Sequence, residues 1–172
     1  MTAASGGVRA TIPPRLCDDL PWLLARAAFT LGAQLADALA RHLGTTPRTY
    51  AVLATAADAD LTQKALADAV GLDKTTLVVA LDELERAGLV VRDPSPTDRR
   101  VRLVRLTAAG CDLVARARPV VERVQDTAFA GLDPATRATV EDALRQLVTT
   151  SLSGPLACDG PHVRPRRPRG RC

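Results

Sequence analysis

A chain of 172 residues is long enough to bury one substantial core. Its 47% hydrophobic content includes only one Trp, one Tyr and two Phe, so Ala, Leu and Val must build that core, which favours packed helices over a sheet sandwich. Five arginines against one aspartate in residues 153–172 carry the whole net charge of +4, which excludes a uniformly basic surface and confines any nucleic-acid footprint to local patches.

Residues 1–14 (MTAASGGVRATIPP) read as a flexible lead closed by two prolines. From Arg15 to His42 the pattern is helical: Leu20, Leu24, Ala27, Leu31 and Leu35 repeat at helical spacing. Trp22, Phe29, Ala33 and Ala40 lie away from that seam, and only a narrow polar stripe of Arg26, Thr30, Gln34, Asp37 and Arg41 remains. A helix apolar over most of its circumference needs cover from more than one direction, so a partner subunit is expected. Gly44 ends this helix, and Thr46-Pro47 caps and opens a second one through about Ala57.

Thr62 caps a short third helix that stops at Gly71, and Asp73 caps a fourth that stops at Gly88. LVVRD and VRLVRL, on either side of the turn-rich PSPTDRR, predict a β-hairpin. Thr107 caps a fifth helix to about Ala130, with a bend expected near Pro119. Asp133-Pro134 opens a sixth, with Val140, Leu144, Leu147 and Val148 on one face. Residues 153–172 hold four prolines, three glycines and no apolar period, and read as a disordered tail. The first residues carry no charged-then-apolar leader, and no continuous apolar run approaches the roughly 20 residues of a bilayer crossing, so a cytoplasmic location away from membranes is expected. Cys17, Cys111, Cys158 and Cys172 form no CxxC pair and meet only His42 and His162, so neither a metal site, nor a disulfide framework, nor a cofactor is expected.

Two short helices with a tight turn, followed at once by a hairpin, describe a winged helix-turn-helix. On the fourth helix Leu77, Leu81 and Leu84 form the inner face, while Thr75, Val78, Val79 and Asp82 point the other way with Lys74 on the flank. An outward Val78-Val79 pair suits a major groove, where apolar side chains meet thymine methyl groups. Thr75 and Thr76 can donate to phosphates or base edges, and Lys74 neutralises phosphate. Asp82 either accepts from a cytosine amino group or holds the helix away from wrong sites. In the wing, Asp98-Arg99-Arg100 places arginines where they can enter a narrow minor groove, with Asp98 close enough to pair with and aim the Arg100 guanidinium.

The stretch LTQKALADAVGLDKTTLVVALDELERAGLVVRDPSPTDRRVRLVRLTAAG resembles the MarR family of bacterial regulators, with DRR at the wing and LTAAG closing it. A weaker likeness runs from about Leu16 to Ser151. The resemblance implies a mainly α fold of about six helices and a β-hairpin wing: a winged helix-turn-helix over about 47–107, flanked by dimerisation helices at 15–43 and 107–152. It further implies a triangular homodimer on a near-palindromic double-stranded DNA operator, with Arg100 in the minor groove, Asp98 supporting it and Lys74–Asp82 as the recognition stretch. Val78 and Val79 depart from the polar or basic residues common on that face in the family.

Many members of that family release DNA when a small aromatic or phenolic compound binds between the dimerisation helices and the DNA-binding lobe. Arg15, Trp22, Arg26, His42 and Tyr50 are the candidates here, with Trp22 and Tyr50 equally readable as core or interface packing. Peroxide-sensing members place a reactive cysteine early in the first helix, as Cys17 is placed, although Asp18 and Asp19 oppose its thiolate. A winged helix that binds protein is a further alternative. An enzyme is not expected: there is no phosphate-cradling glycine loop, HExxH or nucleophile elbow, and no local motif supports pairing Cys17 or Cys111 with His42. The arginine tail reads either as added nonspecific DNA affinity or as a solvated appendage.

Overall fold

The computed structural model of the chain describes residues 12–98 and 100–152. Most of the expected lead, Arg99 and the Arg/Pro-rich tail lie outside the described residues. A 3₁₀ turn at Pro14–Leu16 precedes α1 (Leu20–Leu43), α2 (Pro47–Asp58), β1 (Leu61–Thr62), α3 (Gln63–Val70), α4 (Lys74–Arg86), β2 (Val90–Pro94), β3 (Arg102–Leu106), α5 (Ala108–Phe129) and α6 (Pro134–Thr149). This is the mainly α architecture with a hairpin that the sequence predicts.

Local side-chain chemistry sets most boundaries. Thr62 Oγ1 accepts from Ala65 N–H at 3.1 Å, Asp73 Oδ1 from Thr76 N–H at 2.9 Å, and Asp133 Oδ1 from Ala135 N–H at 3.0 Å. Gly44 and Gly71 stop α1 and α3 in left-handed geometry at φ 61° and 68°. Two expectations need correction. The first helix does not begin at Arg15: Asp19 caps it by accepting from Trp22 N–H at 2.9 Å, and Pro21 in the first turn suits a helix start. The absence of a bilayer-length stretch also fails, because α1 is long and apolar enough by length and composition, at a mean hydropathy of 1.2. Its polar residues are spaced along the helix, so a search for continuous apolar residues passes over it. Helix α5 runs unbroken through Pro119.

By contacts the chain forms two compact units. The first takes residues up to Tyr50 together with Asp112–Gly131. Its core is Ala38, Leu39, Ala117 and Val120, with Leu35, Leu43, Tyr50, Val121 and Val124 packed against them. The rest of α1 is largely bare: Leu20 is 60% and Phe29 72% exposed.

The second unit takes Ala51–Cys111 and the residues from Leu132 onward. Val52, Leu53, Leu66, Leu77, Leu81, Val90 and Val104 are fully buried. The sheet is antiparallel in the order β1-β3-β2, with Val90 opposite Leu106 and Pro94 opposite Arg102. Strand β1 adds a third member that the sequence does not announce, pairing Leu61 with Val104 and Thr62 with Leu103. Helix α6 buries no residue, and Leu144 and Val148 lie exposed on it.

Candidate nucleic-acid interface

Helix α4 is held inward by Leu77, Leu81 and Leu84, all buried, and turns Lys74, Thr75 and Val79 to solvent. Val79 is 53% exposed, while Val78 and Thr76 are half-buried. The Thr76 hydroxyl is already used, since it donates to the Asp73 carboxylate that caps the helix. That hydroxyl, followed by the Thr76 N–H, holds the Asp73 carboxyl below its ordinary value.

Asp82 is engaged as well. Arg92 on β2 places Nη1 2.7 Å from Asp82 Oδ1, and its Nε donates to Glu85 Oε2 at 3.1 Å. Hydrogen bonding from Arg92 lowers the Glu85 carboxyl, and Glu85 in turn raises the Arg92 guanidinium. Asp82 thus ties the helix to the wing strand, a structural role that the sequence does not show beside the base-reading and exclusion roles considered for it. Similarly, Arg105 on β3 donates to Asp60 through Nε at 2.9 Å and Nη2 at 2.6 Å.

The wing is closed by its own backbone. Ser95 N–H donates to the Val101 carbonyl at 2.8 Å, and Val101 N–H donates to the Asp98 carbonyl at 3.0 Å. Buried Ser95 shares a 3.0 Å hydrogen bond with Thr97. Asp98 does not pair with the Arg100 guanidinium, as the sequence suggested: its Oδ1 accepts the Arg100 backbone N–H at 2.9 Å. A short acidic side chain reaches the N–H two residues on more easily than a flexible guanidinium tip, and it shapes the turn from there. The Arg100 side chain is exposed and, among the described residues, makes no ion pair.

With Arg92 and Arg105 neutralised, the second unit retains Lys64, Lys74, Arg86, Arg100 and Arg102 as exposed cations without an ion pair among the described residues. Lys64, Arg86 and Arg102 are not marked out by the sequence, because only the exclusion of competing carboxylates singles them out. Behind the wing, the LTAAG stretch fastens it to α5. Thr107 Oγ1 donates to the Gly88 carbonyl at 2.6 Å and accepts from Gly110 N–H at 3.1 Å, while Thr107 N–H donates to the Leu89 carbonyl at 3.0 Å.

In the first unit an open cleft of about 270 Å³ lies between α1 and α5. Ala38, Val120 and Val124 are its apolar lining, and Asp37, Arg41, His42 and Arg123 are among its polar residues. Of the five effector candidates that the sequence offers, only His42 lines it. Tyr50 packs on the core, Trp22 is half-buried, and Arg15 and Arg26 are exposed. Cys17 is exposed, with its thiol 3.7 Å from the Pro13 carbonyl, beyond the 3₁₀ turn and ahead of the Asp19 cap. Among the described residues no group of His, Cys, Asp and Glu side chains could hold a metal ion.

A helix pair with a solvent-facing second helix, backed by a closed wing with a free arginine, defines a winged-helix DNA-binding protein. The comparisons agree. The profile of the MarR family matches residues 43–101. A protein of Thauera aromatica, assigned as transcriptional regulator of the hcr operon, is 34% identical over 133 residues, 77% of this chain and 80% of that protein. The crystal structure of CouR from Rhodococcus jostii RHA1 bound to p-coumaroyl-CoA is 31% identical, with a TM-score of 0.71 over 83% of this chain and 97% of the other. A MarR-family regulator from Rhodococcus sp. RHA1 is 30% identical, with a TM-score of 0.73 over 81% and 98%. The chain belongs to the MarR family and is a transcriptional regulator with the winged-helix DNA-binding fold; the family consists of regulators rather than enzymes.

Proposed function

We propose that the chain works in the cytoplasm as a homodimeric repressor on a near-palindromic operator, and that a small aromatic or phenolic compound releases it. The observation that carries the DNA-binding reading is the exposed α4 face in the same unit as a self-closed wing whose Arg100 guanidinium has no competing carboxylate among the described residues. Free cations replace condensed counterions on phosphate, whereas a protein-docking surface has no such requirement. Dimerisation is supported by α1, of which only 11% of the apolar stretch is buried within the chain, and by the uncovered Leu144 and Val148 of α6. Two recognition helices also read two half-sites about one helical turn apart, which raises affinity and specificity together.

A gel-shift titration against DNA upstream of the chain's own gene, at two salt concentrations and with Arg100→Ala alongside, tests this. Specific, salt-sensitive binding weakened about tenfold or more by the substitution is expected. Salt-insensitive binding, or none beyond that to random DNA, would point instead to a protein partner.

For the effector, CouR's complex with p-coumaroyl-CoA supports an aromatic ligand. The α1–α5 cleft offers a site of suitable size: an apolar lining for a ring, with His42 and Arg123 at hand for an anionic group. p-Coumarate and its CoA thioester are the probes. Release of operator DNA from the wild type but not from Arg123→Ala supports the cleft, and equal release from both places the site elsewhere.

A further inference from the structure

We infer that the base read by α4 is recognised through the C5-methyl group of a pyrimidine, with Val79 as the reading residue. This rests on the DNA-binding reading above and names what the recognition helix selects. Direct readout by hydrogen bonds relies chiefly on Arg or Lys at guanine and on Asn or Gln at adenine. Of these, residues 74–85 contain only Lys74, the first residue of α4. Of the remaining polar groups, the Thr76 hydroxyl donates to Asp73 and Asp82 holds Arg92, which leaves the single Thr75 hydroxyl uncommitted among the described residues. Glu83 is exposed on the flank and opposes phosphate. Arg86 shares the outward stripe but sits at the last turn, about 10 Å along the axis from Val79, whereas base edges are met by the first turns of a recognition helix.

What remains on the leading face is Lys74, Thr75 and Val79. Lys74 and the Thr75 hydroxyl suit phosphate. Val79 is the one large apolar side chain of α4 among the exposed ones, and no neighbour in the described residues covers it. In the major groove the only apolar group that a base pair presents is the thymine methyl, so that is the partner an isopropyl group selects. A methyl reader discriminates by the presence of one carbon atom, and therefore treats 5-methylcytosine as it treats thymine and uracil as it treats cytosine.

The experiment uses the full chain. Its preferred duplex is selected from a random pool, and each thymine of a half-site is then replaced singly by uracil. At the position Val79 reads, the T·A to U·A exchange should weaken binding about fourfold, and about fifteenfold when both half-sites are changed. In a C·G background, 5-methylcytosine should bind more tightly than cytosine by a similar factor. Val79→Ala, at an exposed helical site where alanine is well tolerated, should keep its circular dichroism and its salt-dependent binding to random DNA but lose both methyl effects. Specific binding with no uracil-sensitive position, or sensitivity that persists in Val79→Ala, overturns this inference and leaves the regulator reading intact. Failure to enrich any sequence overturns both.

Discussion

Gly110→Ala sets two opposing effects against each other inside one helix. Position 110 lies in the first turn of α5, where alanine improves intrinsic helix stability by about 1 kcal/mol. Against this, a Cβ built at Gly110 falls 2.2 Å from the Leu89 carbonyl oxygen and 3.2 Å from Leu106 Cγ. The carbonyl would have to retreat by about 1 Å to restore ordinary contact. It cannot do so alone, because it accepts Thr107 N–H at 3.0 Å, while Thr107 bridges the Gly88 carbonyl and Gly110 N–H. Two or three hydrogen bonds worth about 1 kcal/mol each weaken together, and the strain of overpacking adds about 1–3 kcal/mol. Net destabilisation of about 2–4 kcal/mol should lower the Tm by about 5–15 °C for a chain of this size. Thermal unfolding followed by circular dichroism on the two full-length proteins measures it. An unchanged or raised Tm would show that helix propensity wins, and would refute the close approach as the reason for glycine in this motif.

Three further outcomes follow from the site. Asp98→Ala should weaken operator binding while Asp98→Asn stays near wild type, because the amide oxygen still accepts the Arg100 N–H; equal losses in a gel shift would restore a guanidinium pair. Arg92→Leu leaves Asp82 and Glu85 uncompensated near the recognition face, and should weaken DNA binding about fivefold at low salt with the loss shrinking as salt rises. The Asp73 carboxyl is depressed in the folded chain, so its contribution to stability is present above the ordinary value of 3.8 and is lost as pH falls through the lower folded value. Between about pH 5 and pH 3 the Tm of Asp73→Asn should therefore fall less than that of the wild type, and parallel curves would exclude the charged cap as the cause.

The helix ends were legible in the sequence because a cap is a local event: Thr62, Asp73 and Asp133 each act within three residues of themselves. The same locality explains the errors. Apolar periodicity suggests a helix from Arg15, but it carries no information about Asp19 and Pro21, whose side-chain bond and fixed φ decide where the helix begins. Strand β1 has two residues and no period, so only its pairing with β3 creates it. At the site, the outward positions of α4 were readable from spacing alone, yet the partners of Thr76, Asp82 and Asp98 were not. Each is a short polar side chain with a nearby competitor for its hydrogen bond, and two of those competitors are local backbone or capping groups. The third, Arg92, comes from a neighbouring strand, and its proximity to Asp82 exists only after the hairpin folds back.

These competitions have a functional meaning when taken together. Arg92 joins β2 to two turns of α4, Ser95 and Val101 close the wing, and Thr107 fastens the start of α5 to the segment just before β2. Recognition helix and wing are thus connected by side chains already engaged with one another. On α4's leading face and at the wing tip Lys74, Thr75, Val79 and Arg100 stay exposed, with Lys64, Arg86 and Arg102 as further exposed cations without an ion pair among the described residues. On the proposed reading, a surface built this way would meet the duplex with its spacing already set, at little ordering cost. The polar residues of α4 and the wing turn supply the geometry on that reading, and discrimination between bases is assigned to the Val79 contact in one groove and Arg100 in the other.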